Sequence, residues 1–407
     1  MNHIAPMTQT SLRLAGNAQV AVPELPTQIG PHGIRFDFNE GCRVLLPETG
    51  LRVELHDLDT HSLLFNQIGT AGGMVVSSKK YFIRFGIKVW RGDELIFAHN
   101  YDAADRPVLA RMEVGGLGDQ IAWIGHAAAF AAQHRCRLTC VVKRPVIALF
   151  QDAYPHLRFV TVDEVDANGF YATYKLFIFY NDHNNDWQPT DYRQTGLCRT
   201  AAYMLGLPVE EKRPAIVSDS GGPPITEPYV VIATQATTQN KYWNNPHGWR
   251  ELVVFLKSAG YRVVCIDLER TNGRGMVWNH MPHGVEDQTG NRPLTERVRW
   301  LRHAAFFVGL SSGLSWLAWA AHCPVVLISG FTHPINEFYT PYRVINYNVC
   351  NSCSNDIRLQ LDPSDFLWCP RHKDTARMFE CGKSISVGQV KAMIRTIPHF
   401  LGNGGTV

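Results

Sequence analysis

The sequence of 407 residues predicts an α/β protein of two open nucleotide-fold domains in tandem, with a β-rich segment before them and a cysteine finger after them. Three observations predict it. From about residue 107, short apolar runs alternate with helical stretches in two successive series. Each series carries a turn of glycines or small hydroxyl residues between a strand and a helix. Four cysteines then crowd into residues 350–381.

The β-rich reading covers residues 1–104. Arg35-Phe36-Asp37-Phe38 and Cys42-Arg43-Val44-Leu45-Leu46 flank Asn39-Glu40-Gly41, which is a hairpin signal. Tyr81, Ile83, Phe85, Ile87 and Val89 alternate with Phe82, Arg84, Gly86 and Lys88 ahead of the Arg91-Gly92-Asp93 turn. A small antiparallel sheet or barrel without a catalytic motif is expected there.

The first Rossmann-like domain is assigned to 105–217. Val108 to Val114 reads as a buried strand, Gly115-Gly116-Leu117-Gly118 as a turn, and Asp119 to about Gln133 as an Ala-rich helix, followed by a strand at Leu138–Val142. The linker Ser218-Asp219-Ser220-Gly221-Gly222-Pro223-Pro224 opens the second such domain, 218–345. Its strands are Tyr229–Ala233, Tyr261–Ile266 and Phe306–Val308, and its helices Trp249–Ala259 and Leu294–His303. Tandem open sheets place ligands at the carboxyl ends of their strands, in the cleft between the two domains. A finger at 346–388 and a C-terminal helix at 389–407 complete the chain.

Composition restricts the function. The chain has 39 basic and 36 acidic residues, a formal charge of +3, which is too balanced to argue for a nucleic-acid or membrane-surface partner. No stretch approaches the roughly 20 apolar residues of a spanning helix, and Met1–Val22 lacks the pattern of a secretion signal, so a cytoplasmic protein is expected. Cys42, Cys136, Cys140, Cys198, Cys265 and Cys323 are scattered through apolar runs, as buried reduced thiols are.

Three segments carry possible chemistry. Gly115 to Asp119 joins a strand to a helix, and a carboxylate there would repel a phosphate, which leaves Asp119 as a cleft-facing base or a helix-start acid whose ionised form the helix end favours. Thr234 to Trp243 follows the first strand of the second domain; its hydroxyls and Lys241 suit a diphosphate, although an ordinary polar loop would look the same. Val308-Gly309-Leu310-Ser311-Ser312-Gly313 leads into the apolar helix Leu314–Ala320, offering backbone amides for an anion or simply a capped helix start.

The cysteines form the most specific local signal. Cys350 and Cys353 make a Cys-x2-Cys knuckle, with fifteen residues between Cys353 and Cys369 and eleven between Cys369 and Cys381. Tetrahedral sulfur coordination suits zinc or iron, and the spacing favours a metal finger over redox thiols or four structural cysteines. The nearby His372 and Asp365 read as surface polar residues.

Taken together, Gly118-Asp119, Lys241-Tyr242-Trp243 and Gly309 to Ala320 with Pro324-Val325-Val326-Leu327 resemble the heptosyltransferases, over about residues 107–345. The β-rich extension and the finger narrow the resemblance to the bacterial autotransporter heptosyltransferases, which matches essentially the whole chain. The resemblance implies a GT-B fold, with 105–217 on the acceptor side and 218–345 binding the donor. It implies ADP-glycero-manno-heptose as donor, a serine of an autotransporter adhesin as acceptor, and inversion with Asp119 as general base. Thr234, Thr237, Thr238, Lys241, Ser311, Ser312 and Gly313 become donor-binding residues. The resemblance further implies that Cys350, Cys353, Cys369 and Cys381 hold one iron (Fe3+) per subunit, with zinc as the alternative, and that the subunits form a dodecamer. Ser311 to Trp316 departs from the Asp-Thr-Gly-Leu-Ser-His of lipopolysaccharide heptosyltransferases, so a carboxylate and an imidazole are missing from this loop. A lipopolysaccharide heptosyltransferase with a lipid acceptor and a non-enzymatic metal-finger binding protein are the rival readings.

Overall fold

A computed structural model of the protein describes residues 20–403. Most of Met1–Val22 and the last four residues of the expected 389–407 helix lie outside the described residues. Among the described residues no helix is long and apolar enough to cross a membrane.

The first lobe is built on a mixed sheet. Arg158–Val160, Arg137–Val141, Pro107–Arg111, Ala172–Lys175 and Arg35–Asn39 lie side by side in parallel, and Arg43–Leu45 and Met74–Val76 continue the sheet antiparallel. Val108, Leu109 and Ala110 are buried because helices or loops cover both faces of a parallel strand. The hairpin expected in a separate β segment is thus part of this sheet: Phe38 pairs with Ala172 and Asn39 with Thr173. Long-range pairing to residues more than a hundred positions away decided its place, which local alternation cannot reveal.

The rest of the β-rich region is a four-stranded antiparallel sheet in the order Ser62–Ile68, Leu51–Asp57, Phe85–Arg91, Glu94–Asn100. Val53, Leu55, Ile87 and Val89 are its inward residues, alternating with polar ones. Phe36, Phe38, Phe85, Phe97 and Tyr101 belong to the same core as the first lobe, so the two sheets share one apolar interior.

The second lobe is an all-parallel sheet of Glu286–Asp287, Arg262–Cys265, Tyr229–Ile232, Phe306–Leu310, Val325–Ile328 and Arg343–Val344. Gly248–Ser258 and Leu294–Arg302 are the helices expected there, within a residue of the sequence reading. The last helix, Val387–Ile394, starts at a Ser386/Gln389 capping box and seats Val390 and Ile394 in the core of this lobe. Cys42, Cys140, Cys198, Cys265 and Cys323 are buried free thiols and Cys136 is half-buried.

The lobes meet where helix Leu117–His134 packs on helix Gly313–Ala320. This approach needs glycine. A Cβ on Gly118 would lie 2.7 Å from Trp316 Cδ1, and one on Gly313 would lie 2.8 Å from Leu117 Cβ. Trp316 is itself held edge-on by Trp319 and Phe338 and has little room to retreat. Gly118→Ala should therefore destabilise the protein: overpacking costs about 1–3 kcal/mol, more than the ~1 kcal/mol alanine returns in a helix. A denaturation midpoint at or above the parent's would show that the two helices do not bear on each other through this contact.

Candidate active site and cysteine centre

The carboxyl ends of both sheets open onto one cleft of about 800 Å³, within the size range of small-molecule sites. Gly115–Asp119, Tyr180 and Tyr192 form its wall in the first lobe. Gln235–Thr238, Lys241, Asp267, Glu269 and Ser311–Leu314 form the facing wall, and Ser354, Leu361 and Pro363 from the cysteine segment close one side.

Gly115 turns at φ +103, a conformation that side chains rarely adopt, and folds Asp119 back over the helix start. Asp119 Oδ2 accepts the Gly116 N–H at 2.6 Å. One side chain thus both caps the helix start and lines the cleft. Its expected ionisation is corrected. Burial raises the carboxyl pKa, and the Gly116 N–H and the charges of Lys241 and Lys143, which lower it, do not compensate. Loss of water outweighs the field of the helix end.

Lys241 ends a short helical turn, Gln239–Lys241, and lines the cleft from the lobe opposite Asp119. Burial lowers its pKa, while Asp119 and Glu337 raise it. The turn hangs from the cysteine segment: the Gln239 N–H donates to the Phe366 carbonyl at 2.9 Å, and Asn240 Nδ2 to the Trp368 carbonyl at 3.0 Å.

The other residues singled out in the sequence fall into different places. Thr237 and Thr238 line the cleft, and the Thr238 hydroxyl donates to Asn240 Oδ1 at 2.8 Å. Thr234 does not line it. Its amide and hydroxyl both donate to Asp267 Oδ2 at 2.8 Å, because the chain is still inside the sheet layer at this point. Ser311 borders the cleft, but its hydroxyl donates to the buried Glu337. Ser312 opens helix Gly313–Ala320, and its buried Oγ has no hydrogen-bond partner among the described residues. Gly313 is the first residue of that helix, lines the cleft and packs against Leu117.

The sequence reading missed Asp267, Glu269 and Glu337. Asp267 and Glu269 follow the strand Arg262–Cys265, and an acid just beyond a parallel strand was a signal available to find them. Glu337 had no such signal.

All four cysteines border one small cavity of about 10 Å³, with Asn240, Phe331 and Trp368. Cys350 Sγ and Cys353 Sγ lie 3.9 Å apart. Two thiolates at about 2.3 Å from a shared tetrahedral metal stand about 3.8 Å apart, so this spacing fits a metal–sulfur shell. Burial and then neighbouring cysteines push the Cys353 and Cys381 thiols up to about 12, so that their thiolates require a cation beside them. His372 lies beside the cluster, its Nε2 3.5 Å from Glu380 Oε1, and with Cys350 these two side chains offer ligand atoms within 4.8 Å of one another.

Two facing sheet lobes with a cleft at their strand ends are the architecture of the GT-B fold, here with a β-rich N-terminal region. Comparison with known proteins narrows the class. Residues 30–93 match the family described as glycosyltransferase TibC, N-terminal domain, and residues 200–360 match glycosyltransferase family 9 (heptosyltransferase). The autotransporter heptosyltransferase BAHTCr of Citrobacter rodentium is 49% identical, over 92% of this chain and 91% of its own. The crystal structure of the dodecameric iron-containing heptosyltransferase TibC in complex with ADP-D-beta-D-heptose superposes with a TM-score of 0.90 at 47% identity, covering 94% of this chain and 100% of that one. A Burkholderia thailandensis protein described as inactive autotransporter heptosyltransferase BimC is 46% identical, over 92% of this chain and 88% of its own. The chain belongs to the autotransporter heptosyltransferases.

Proposed function

We propose that this protein transfers heptose from ADP-glycero-manno-heptose to serine hydroxyls of an autotransporter adhesin, with inversion at the anomeric carbon. A relative described as inactive means that membership alone does not carry the reading. It is carried by Asp119 and Lys241, which line one cleft from opposite lobes. The serine oxygen attacks the anomeric carbon as its proton passes to Asp119, and the bond from that carbon to the β-phosphate oxygen breaks. Lys241, Thr237, Thr238 and the amides of Ser312 and Gly313 stabilise the departing ADP. Thr234 and Ser311 act behind that wall, since their hydroxyls are taken by Asp267 and Glu337.

Cys350, Cys353, Cys369 and Cys381 would hold one iron, with zinc as the alternative, and four thiolates leave no open position for substrate. The centre is therefore structural. TibC is described as iron-containing and dodecameric, which supports iron and a dodecamer here. A cytoplasmic site of action agrees with a heptose donor and reduced, buried thiols.

The reading is tested by incubating the purified protein with radiolabelled ADP-heptose and either an adhesin passenger domain or a lipid acceptor. Label on passenger serines is expected. Label on the lipid alone, or no transfer at all, would refute the acceptor or the activity. Lys241→Ala should weaken ADP binding about tenfold, equivalent to about 1.4 kcal/mol, and slow transfer in a folded protein. Calorimetry giving an unchanged ADP affinity would remove Lys241 from the diphosphate site.

A further inference from the structure

The two walls of the cleft differ in charge. Its cationic side chains, Lys241, Arg292 and Arg297, all belong to the second lobe. Among the described residues the first lobe contributes no cation to the lining, and its one charged group there is Asp119. The same wall carries three aromatic rings, Phe177, Tyr180 and Tyr192. They stand edge-on to one another, with centroids 6.4 Å apart for Phe177 and Tyr180 and 5.3 Å apart for Tyr180 and Tyr192. The backbone beneath them is fixed. The buried Gln188 side chain accepts the Phe179 N–H at 3.3 Å and donates to the Phe179 carbonyl at 2.8 Å, directly before Tyr180. Asp191 caps the short helix Tyr192–Thr195 by accepting the Arg193 N–H at 2.9 Å. The Arg193 guanidinium donates to the carbonyls of Ile357 and Leu359, both at 2.9 Å, and so ties the cysteine segment to the first lobe. Leu361 and Pro363 of that segment close the side of the cleft.

We infer that Phe177, Tyr180 and Tyr192, with Leu361 and Pro363, form the acceptor subsite, which takes an extended, uncharged peptide segment and presents its serine to Asp119. The inference rests on the protein-acceptor reading given above and deepens it by naming the surface and the chemistry it recognises. A phosphorylated or carboxylated acceptor calls for arginine or lysine beside its anions. This wall offers neither, and an ionised Asp119 would repel such groups. A neutral backbone with small side chains meets no such penalty. Tyrosine gives it a large, rigid face at low entropic cost and a hydroxyl for its polar groups. A cleft of about 800 Å³ admits a segment of chain and excludes a folded domain, so the bound segment is extended. Charge thus divides the cleft, with cations for the diphosphate on one wall and neutral rings for the acceptor on the other.

The test is steady-state transfer from ADP-heptose by the full-length protein to two synthetic peptides. One carries its serine among glycine, alanine and asparagine, the other among aspartates. The parent should show the lower KM for the neutral peptide. Tyr180→Ala should raise that KM about tenfold, as loss of an aromatic anchor does, with kcat and ADP-heptose affinity near the parent values. Tyr180→Phe keeps the ring and should return KM most of the way. A lower KM for the acidic peptide overturns the inference, and so does an unchanged KM in Tyr180→Ala. Weakened ADP-heptose binding at an unchanged peptide KM would make the ring a platform for the donor sugar, which also overturns it. Should Tyr180→Ala fail to fold, photo-crosslinking on the parent decides. A neutral peptide with alanine for serine and a benzophenone beside it should label residues within 177–192 or 357–363, and labels confined to other segments overturn the inference. A parent that transfers heptose neither to these peptides nor to an adhesin passenger would sink the protein-acceptor reading itself, whereas transfer with an unmoved KM in Tyr180→Ala sinks only the subsite.

Discussion

Asp119→Asn should lower heptose transfer by roughly a hundredfold to ten-thousandfold, the usual contribution of a general base, while ADP affinity and metal content stay near the parent values. The amide oxygen of Asn can still accept the Gly116 N–H that Asp119 Oδ2 accepts at 2.6 Å, so the helix start survives the substitution. What is lost is the ability to take a proton. The raised pKa of the carboxyl has a second consequence. Activity should be absent where Asp119 is protonated and should appear as pH rises through a value above the ordinary aspartate range. Lys241 lowers that pKa, so Lys241→Ala should move the acid limb further up. A parent-like rate for Asp119→Asn would return the residue to helix capping alone, and an acid limb unmoved by Lys241→Ala would contradict the influence of the lysine on the carboxyl.

The parts of the fold that were legible are those with a strong local pattern. The run Val108–Val114 followed by an Ala-rich stretch announced strand Pro107–Arg111 and helix Leu117–His134, and the second lobe repeated the alternation clearly. Local pattern failed where distant strands meet. Nothing near Arg35–Asn39 shows that it pairs with Ala172–Lys175, and the choice of sheet is made by burial against the aromatic cluster of Phe38, Tyr101 and Tyr171. The candidate site divides the same way. Turns between strand and helix marked the segments holding Asp119, Lys241 and Ser312, because free amides and glycines at such turns have few other uses. Which side chain of a turn faces the cleft is decided by what lies beneath it. Thr234 turns to Asp267 and Ser311 to Glu337, and these acids come from residues 33 and 26 positions away.

Removing the metal should weaken ADP binding as well as the fold, although among the described residues no cysteine lines the cleft. The coupling runs through the backbone. Cys369 lies directly after Trp368, whose carbonyl accepts from Asn240, and the Phe366 carbonyl accepts from the Gln239 N–H. These two bonds hold the turn that ends in Lys241, and Asn240 itself borders the cysteine cavity. A metal present at a thousand times its Kd contributes about 4 kcal/mol to the folded state, so Cys350→Ser or Cys369→Ser should lower metal content and the unfolding temperature together. With the anchor gone the ammonium is no longer fixed opposite Asp119, and ADP affinity in protein that remains folded should fall about tenfold, as for loss of the lysine itself. Linkage makes the effect reciprocal: saturating ADP should slow loss of metal to a chelator in the parent, and should not do so in Lys241→Ala. Elemental analysis finding neither iron nor zinc would remove the premise. A metal-free protein that binds ADP as tightly as the loaded one would show that the turn is held in place by its own lobe, through Gln239 and Asn244 at 2.7 Å and Asn272 and Tyr242 at 2.9 Å, and owes nothing to the finger.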